Sequence, residues 1–167
     1  MELTERVAEL ERRMAALEEA GGRAAPTVTR ADFWALEALK VKLREDGADD
    51  GGVLFTGAVR LPAGERYEWQ YGLPAEALLD GEWADAADAF AALGHPVRLR
   101  LLQEIIGGRR TAAELADLEG LGTTGQIYHH LRQLTAAGWL SAAGRGRYVV
   151  PGPRVVPLLV ALATARP

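Results

Sequence analysis

From about residue 84 onward, apolar side chains recur every three to four positions, in short runs separated by glycine. Trp83 to Leu93 reads as a helix ended by Gly94. Pro96 then occupies the first position of the next helix, where its missing N–H costs little. Val97, Leu101, Leu102, Ile105 and Ile106 give that helix an inward face, and Gly107-Gly108 stops it. His95, just before Pro96, reads as a cap or turn residue. Thr111 with Glu114 three residues later makes a capping box for a short helix that turns Leu115 and Leu118 inward. Gly120-Leu-Gly122 forms a tight turn, with Leu121 plugging the angle between helices. Thr123 and Gln126 make a second box, and Ile127, Leu131 and Leu134 line one face of a helix over 123–136. Trp139-Leu-Ser-Ala142 and Gly146-Arg-Tyr-Val-Val150 read as the strands of a hairpin joined through Ala143-Gly-Arg-Gly146, and Pro151-Gly-Pro153 ends it. Pro157 is expected to begin the last helix. Leu158, Leu159 and Leu162 lie on its nearly all-apolar surface, which predicts a dimer interface.

Upstream, Leu3, Val7, Leu10, Met14 and Leu17 are spaced 4, 3, 4, 3, an a/d heptad seam over residues 1–20. So short a coiled coil is marginal alone, but tethered to a folded dimer it can zip. Residues 21–28 read as a linker. Residues 29–83 form an extension: a capping box at Thr29 and Asp32, a helix to about Arg44 with Phe33, Leu36, Leu39 and Leu43 on one face, then an acidic turn. The period next switches to two. Val53, Phe55, Val59 and Leu61 share one strand parity, Pro62-Ala-Gly-Glu65 turns the chain, and Tyr67, Trp69 and Tyr71 share the parity of the return strand. An isolated hairpin is unstable, so this aromatic face must cover something. One reading packs it on the helix of Phe33 and Trp34 or on a partner subunit. The other makes Phe55, Tyr67, Trp69 and Tyr71 the wall of a pocket for a small-molecule effector. Pro74 to Leu79 reads as a helical turn. Residues 84–167 complete the chain as the last domain.

Composition narrows the function. A chain of 167 residues, 49% hydrophobic, holds one modest domain or two small ones. It has no cysteine, which excludes disulfides and thiolate metal sites. Its charged N-terminus has no signal core and no apolar run is long enough to span a bilayer, which predicts a cytoplasmic protein without a membrane partner. The net charge of −4 is unevenly spread: residues 1–95 carry 10 Lys+Arg against 19 Asp+Glu, whereas residues 96–154 carry 8 Arg against 4 Asp+Glu. The basic excess sits on the glycine-punctuated helices and the hairpin, as contact with phosphates requires.

Two capped helices around a glycine turn, followed by a basic hairpin, are the parts of a winged helix-turn-helix that reads duplex DNA. The fold class expected is therefore mainly α with small β. The face opposite Ile127 and Leu131 carries Thr124, Gly125, Gln126, Tyr128, His129 and Arg132. Glutamine can bond adenine bidentately, and threonine can bond bases or meet a thymine methyl. Amides of the helix capped by Thr123, with Arg132, Arg145 and Arg147, are suited to phosphates. Catalysis is not expected. The only serine, Ser141, lies in the hairpin, and there is no phosphate-binding loop with lysine, no metal-ligand spacing and no cofactor motif. The competing reading is a winged-helix docking module for proteins. Gel shifts at two salt concentrations discriminate the two, because DNA binding weakens steeply as salt rises.

Leu93-Gly-His-Pro-Val-Arg-Leu-Arg-Leu-Leu102, Thr111-Ala-Ala-Glu-Leu-Ala116, Gln126-Ile-Tyr-His-His-Leu-Arg-Gln-Leu134 and Ala137-Gly-Trp-Leu140 together resemble winged-helix repressors of the ArsR type, over about residues 84–165. The resemblance implies a homodimer held by helices at both ends of the module, acting on a palindromic operator as a repressor released by a signal. Metal-sensing members carry paired cysteines on the first helix of the helix-turn-helix. Here that stretch is Glu114-Leu-Ala-Asp-Leu118, so sensing through that site is excluded. His129 and His130 are adjacent and diverge by about a hundred degrees on a helix, so they make no chelating pair. The resemblance makes His130 structural. The first 83 residues resemble extensions on some actinobacterial-type regulators and carry no assignable signal.

Overall fold

A computed structural model of the protein describes residue 12 and residues 33–166. The expected heptad seam of Leu3, Val7, Leu10, Met14 and Leu17, the linker over 21–28 and the Thr29–Asp32 box lie outside the described residues. Helix α1 (Trp34–Glu45) leads to a hairpin of β1 (Gly52–Arg60) and β2 (Arg66–Pro74). Two short turns of helix follow, α2 (Ala75–Leu79) and a 3₁₀ turn (Trp83–Ala86). Then come α3 (Ala87–Leu93), α4 (Pro96–Ile106), α5 (Ala112–Ala116), α6 (Thr124–Ala136), the short strands β3 (Ser141–Ala142) and β4 (Tyr148–Val149), and α7 (Gly152–Thr164). The architecture is mainly helical, with two antiparallel hairpins, and its second half is a winged helix-turn-helix.

The core forms where the inward faces of α4, α5, α6 and α7 meet. Leu101, Ile105, Leu115, Ile127, Leu131, Leu134, Val155 and Leu158 are almost wholly buried there, with Leu121 from the turn before α6. His95 caps α4, its Nδ1 accepting from the Val97 N–H at 3.2 Å, ahead of Pro96 at the first helical position. Trp139 is also buried, its Nε1–H donating to the Ala89 carbonyl at 2.9 Å while the Arg154 guanidinium lies 4.9 Å from its ring centre. The wing strands are therefore shorter than the alternation suggested, because Trp139 and Leu140 belong to the core. No described helix is long and apolar enough to cross a membrane.

The last helix begins at Gly152, five residues before the expected start at Pro157. Pro153 falls in the first turn, where proline is tolerated, while Pro157 lies inside the helix. Burial of Val155, Val156 and Leu158 outweighs the hydrogen bond that Pro157 forgoes. This start also corrects the expected role of Leu158. It is 0% exposed, sealed in the chain's own core, so only Leu159 and Leu162 remain open to another surface.

The β1–β2 hairpin pairs Phe55 with Tyr71, Gly57 with Trp69 and Val59 with Tyr67, so the aromatic parity forms one face as expected. That face does not cover the helix of Phe33 and Trp34. It lies on α7 instead. Gly57 and Gly152 permit the contact. A Cβ on Gly57 would sit 2.7 Å from Val156 Cγ1, and one on Gly152 would sit 3.4 Å from Tyr67 Cε1. Helix α1 lies at the open end of the hairpin, where Leu43 packs on Gly52. We expect Gly57→Ala to destabilise the fold by about 1–3 kcal/mol, because buried, β-branched Val156 cannot swing aside. Gly72→Ala is the control: its Cβ would meet Leu54 Cδ1 at an ordinary 3.5 Å. Urea midpoints of the two variants check this, and equal midpoints would contradict the packing.

Candidate nucleic-acid interface

Each helix of the helix-turn-helix starts with a complete capping box. For α5, the Glu114 N–H donates to Thr111 Oγ1 at 3.2 Å and Glu114 Oε2 accepts from the Thr111 N–H at 2.8 Å. For α6, the Gln126 N–H donates to Thr123 Oγ1 at 3.4 Å, and Gln126 Oε1 accepts from the Thr123 N–H at 2.8 Å. Gly120 and Gly122 turn the chain between them with φ of 80° and 93°, a left-handed backbone that glycine adopts without strain. The boxes satisfy N–H groups that the helix starts leave orphaned, which lets so short a segment as α5 hold its place. The hydrogen bonds from the Thr111 N–H and hydroxyl hold the Glu114 carboxyl below the usual carboxylate range.

Helix α6 is divided cleanly. Ile127, Leu131 and Leu134 are 0% exposed, and Thr124, Gly125, Gln126, Tyr128, His129 and Arg132 stand on the solvent side. The acidic first half of the described chain does not cover that side. Gln126 is the qualification. Its carbonyl oxygen also accepts from the Thr123 hydroxyl at 3.2 Å, so the amide is folded back onto the cap. Reading an adenine with both ends of the amide requires that oxygen to leave the box.

The wing is held on the chain that leads into α5. Ser141 pairs with Val149 and Ala142 with Tyr148, and Thr111 bridges Arg147 in antiparallel fashion. The Tyr148 N–H donates to the Arg110 carbonyl at 2.7 Å. The tip turns through three consecutive left-handed residues, Gly144, Arg145 and Gly146, with φ of 76°, 50° and 70°. Arg145 and Arg147 project from it exposed.

The eight arginines of residues 96–154 fall into two groups. Arg98 donates to the Ala91 and Ala92 carbonyls at 2.7 and 2.6 Å and to Gln133 Oε1 at 2.6 Å, tying the end of α3 to α6. Arg100 and Arg109 both pair with Glu104, Arg110 pairs with Glu65, and Arg154 lies over Trp139. Arg132, Arg145 and Arg147 make no ion pair or side-chain hydrogen bond among the described residues. They are the three arginines that the sequence assigned to phosphates.

Sequence reasoning missed the setting of His130. His95 and His130 stack with ring centres 4.7 Å apart, His129 lies 5.7 Å from His130, and all three histidines of the chain thus gather at one place. His130 Nδ1 is buried without a partner among the described residues. No group of three or more His, Cys, Asp or Glu among the described residues is arranged to hold a metal ion. Burial, then the nearby His95 and Arg98, depress the His130 pKa, and its hydrogen bond with Gln133 opposes them in part. The unfolded chain therefore takes this proton at a higher pH than the native one. Stability from a neutral His130 is complete above about pH 6.5 and is lost as pH falls from there toward the lower native value. Melting temperatures should drop between pH 7.5 and 5.5, and by less in His130→Gln. Parallel curves would remove His130 from the account.

Of the proposed ligand wall, Tyr67 shares a cavity of about 30 Å³ with Leu61, Ile105, Ile106, Arg110, Val149, Val150 and Val155. That volume suits about one water. Trp69 is half-buried, and Phe55 and Tyr71 meet at 5.9 Å toward the open end, where Tyr71 is exposed. A larger groove of about 710 Å³ runs between α4 and α7, lined by Leu99, Leu102, Ile106, Leu158, Leu159 and Leu162 among others.

Residues 93–138 match the family described as "Helix-turn-helix domain". A 74-residue stretch is 40% identical to the "Probable mercury resistance operon repressor" of Streptomyces lividans, covering 42% of this chain and 58% of that protein. No solved structure gives a significant match. Both matches agree with the ArsR-type resemblance carried by the sequence motifs.

Proposed function

We propose that the protein, whose residues 93–138 match a helix-turn-helix domain and whose motifs resemble the ArsR type, is a transcriptional repressor that binds duplex DNA sequence-specifically. In this reading it is a homodimer on a palindromic operator, with two α6 helices in successive major grooves about one helical turn apart. The observation that carries it is the sorting of arginines: Arg132, Arg145 and Arg147 make no ion pair or side-chain hydrogen bond among the described residues and stand beside an exposed polar helix face, with only the charge of Arg147 felt by Glu114. Thr124, Tyr128 and the donor end of Gln126 face the bases, with His129 assisting, and the amides of the helix capped by Thr123 hold a phosphate. The relative named as a mercury resistance operon repressor supports a regulatory role over a catalytic one. The signal must differ from thiolate capture of a soft metal, because this chain has no cysteine. Leu159 and Leu162 along the α4–α7 groove are proposed to meet the second copy, together with the heptad residues of 1–20. An effector at the aromatic hairpin would act by favouring a dimer whose reading helices are wrongly spaced.

The experiment is enrichment of bound fragments from a random duplex pool. The wild type should enrich a two-fold symmetric site. Gln126→Ala should relax preference at one position per half-site by about 0.5–1.5 kcal/mol, the worth of a single hydrogen bond from its donor end. Lower stability with an unchanged site would assign Gln126 to the cap alone, and enrichment of no sequence at all would overturn the reading.

A further inference from the structure

The β1–β2 hairpin lies outside the helix-turn-helix match, yet its tip is fastened to the root of the wing. Leu61, at the start of its turn, is buried in the core of the winged module. Ala63 stands 3.8 Å from where a Cβ of Gly108 would be. Glu65 forms an ion pair with Arg110, whose side chain is only 20% exposed. Arg110 is also a junction of the backbone. Its carbonyl accepts from the Tyr148 N–H of the wing, and its N–H donates to Glu114 Oε2, the carboxylate that caps α5. The next two residues hold the wing tip: Thr111 bridges Arg147, and the Ala112 N–H donates to the Gly146 carbonyl at 3.3 Å. One ion pair thus links the extension to the wing and to the first reading helix at once.

We infer that the hairpin is a brace for DNA binding, in which Glu65 is a positioning residue that acts through Arg110 to hold Arg145 and Arg147 at the phosphates. The inference rests on the DNA-binding reading and gives the extension a role in it. A half-buried guanidinium without its carboxylate seeks solvent or another anion. When Arg110 moves, the short strand β4 that directly follows Arg147 moves with it, because Arg110 supplies one of its few backbone acceptors. The pair with Arg110 holds the Glu65 carboxyl below its usual range, so the brace is charged at neutral pH.

The test uses the full chain and a duplex that it binds, with affinity measured against salt. Arg147→Ala in the wild type should reduce the slope of log K against log salt by about 0.9 per protomer. Glu65→Ala alone should reduce it by about twice that, since both wing arginines are released. In the Glu65→Ala background, Arg147→Ala should then change the slope no further. The swapped pair, Glu65→Arg with Arg110→Glu, should restore it. Slope losses that simply add would show that the wing is positioned without Glu65 and would overturn the brace. If the wild type binds no duplex, the DNA-binding reading fails, and amide exchange tests the brace by itself. Glu65→Ala should speed exchange at Arg147 and Tyr148 at least about tenfold with Leu131 and Leu134 unchanged. Unchanged exchange at Arg147 and Tyr148, or equal acceleration everywhere, would overturn it.

Discussion

Leu131→Ala should destabilise the protein by about 2–5 kcal/mol, a large part of the about 5–15 kcal/mol by which native domains are held folded. Leu131 is 0% exposed and sits on the inward face of α6, between Ile127 and Leu134, which are equally buried. Truncation to alanine removes apolar contacts and leaves a cavity that the capped, closely packed helices cannot collapse to fill. The same helix bears the proposed base-reading side chains, so loss of core packing reaches binding without touching a polar residue. Urea denaturation followed by circular dichroism gives the number. Leu79→Ala, at a position 67% exposed, should cost under about 1 kcal/mol. Similar losses at the two positions would mean that the core does not lie where the burial places it.

The second large effect is electrostatic. Replacing Arg145 and Arg147 together by alanine should lower the slope of log K against log salt by about 1.8 per protomer, while stability changes by less than about 0.5 kcal/mol. Both side chains are exposed and neither makes an ion pair among the described residues, so their removal costs the fold little. On DNA each displaces a counterion, and that release supplies affinity without regard to sequence. The loss should therefore be uniform across operators. A loss confined to one sequence would mean that the wing reads a groove shape rather than phosphates. Arg145 carries a further constraint. Its φ of 50° lies between two left-handed glycines, so Arg145→Gly separates charge from backbone: the binding loss remains and the turn does not suffer.

Much of the reading module is legible in sequence because its determinants are local. Thr111 to Glu114 and Thr123 to Gln126 span three residues each, and both boxes form as the spacing predicts. Gly120 and Gly122 mark the turn, and a 3.6-residue period marks Ile127, Leu131 and Leu134. What escaped the sequence depends on distant partners. Nothing local says that Gly57 is small so that Val156 can approach, or that Glu65 meets Arg110. Pro153 and Pro157 both suit a first turn, and only burial of Val155 and Val156 starts α7 at Gly152 rather than at the expected Pro157. Apolar residues surround that helix, so periodicity alone does not say which side the core takes, and Leu158 reads in sequence as an interface residue although it is buried. Gln126 shows the limit differently. One pattern supports both a cap and a base contact, and in the structure the cap holds its oxygen.

We propose that Arg132, Arg145, Arg147 and the exposed face of α6 meet duplex DNA. The most direct test is the affinity of the wild-type protein for its enriched duplex, measured from about 50 to 200 mM salt. Six or more phosphate contacts across a dimer predict a fall of about 10³-fold or greater over that range. Affinity that stays level as salt rises, or a duplex bound no better than a single strand, would contradict it.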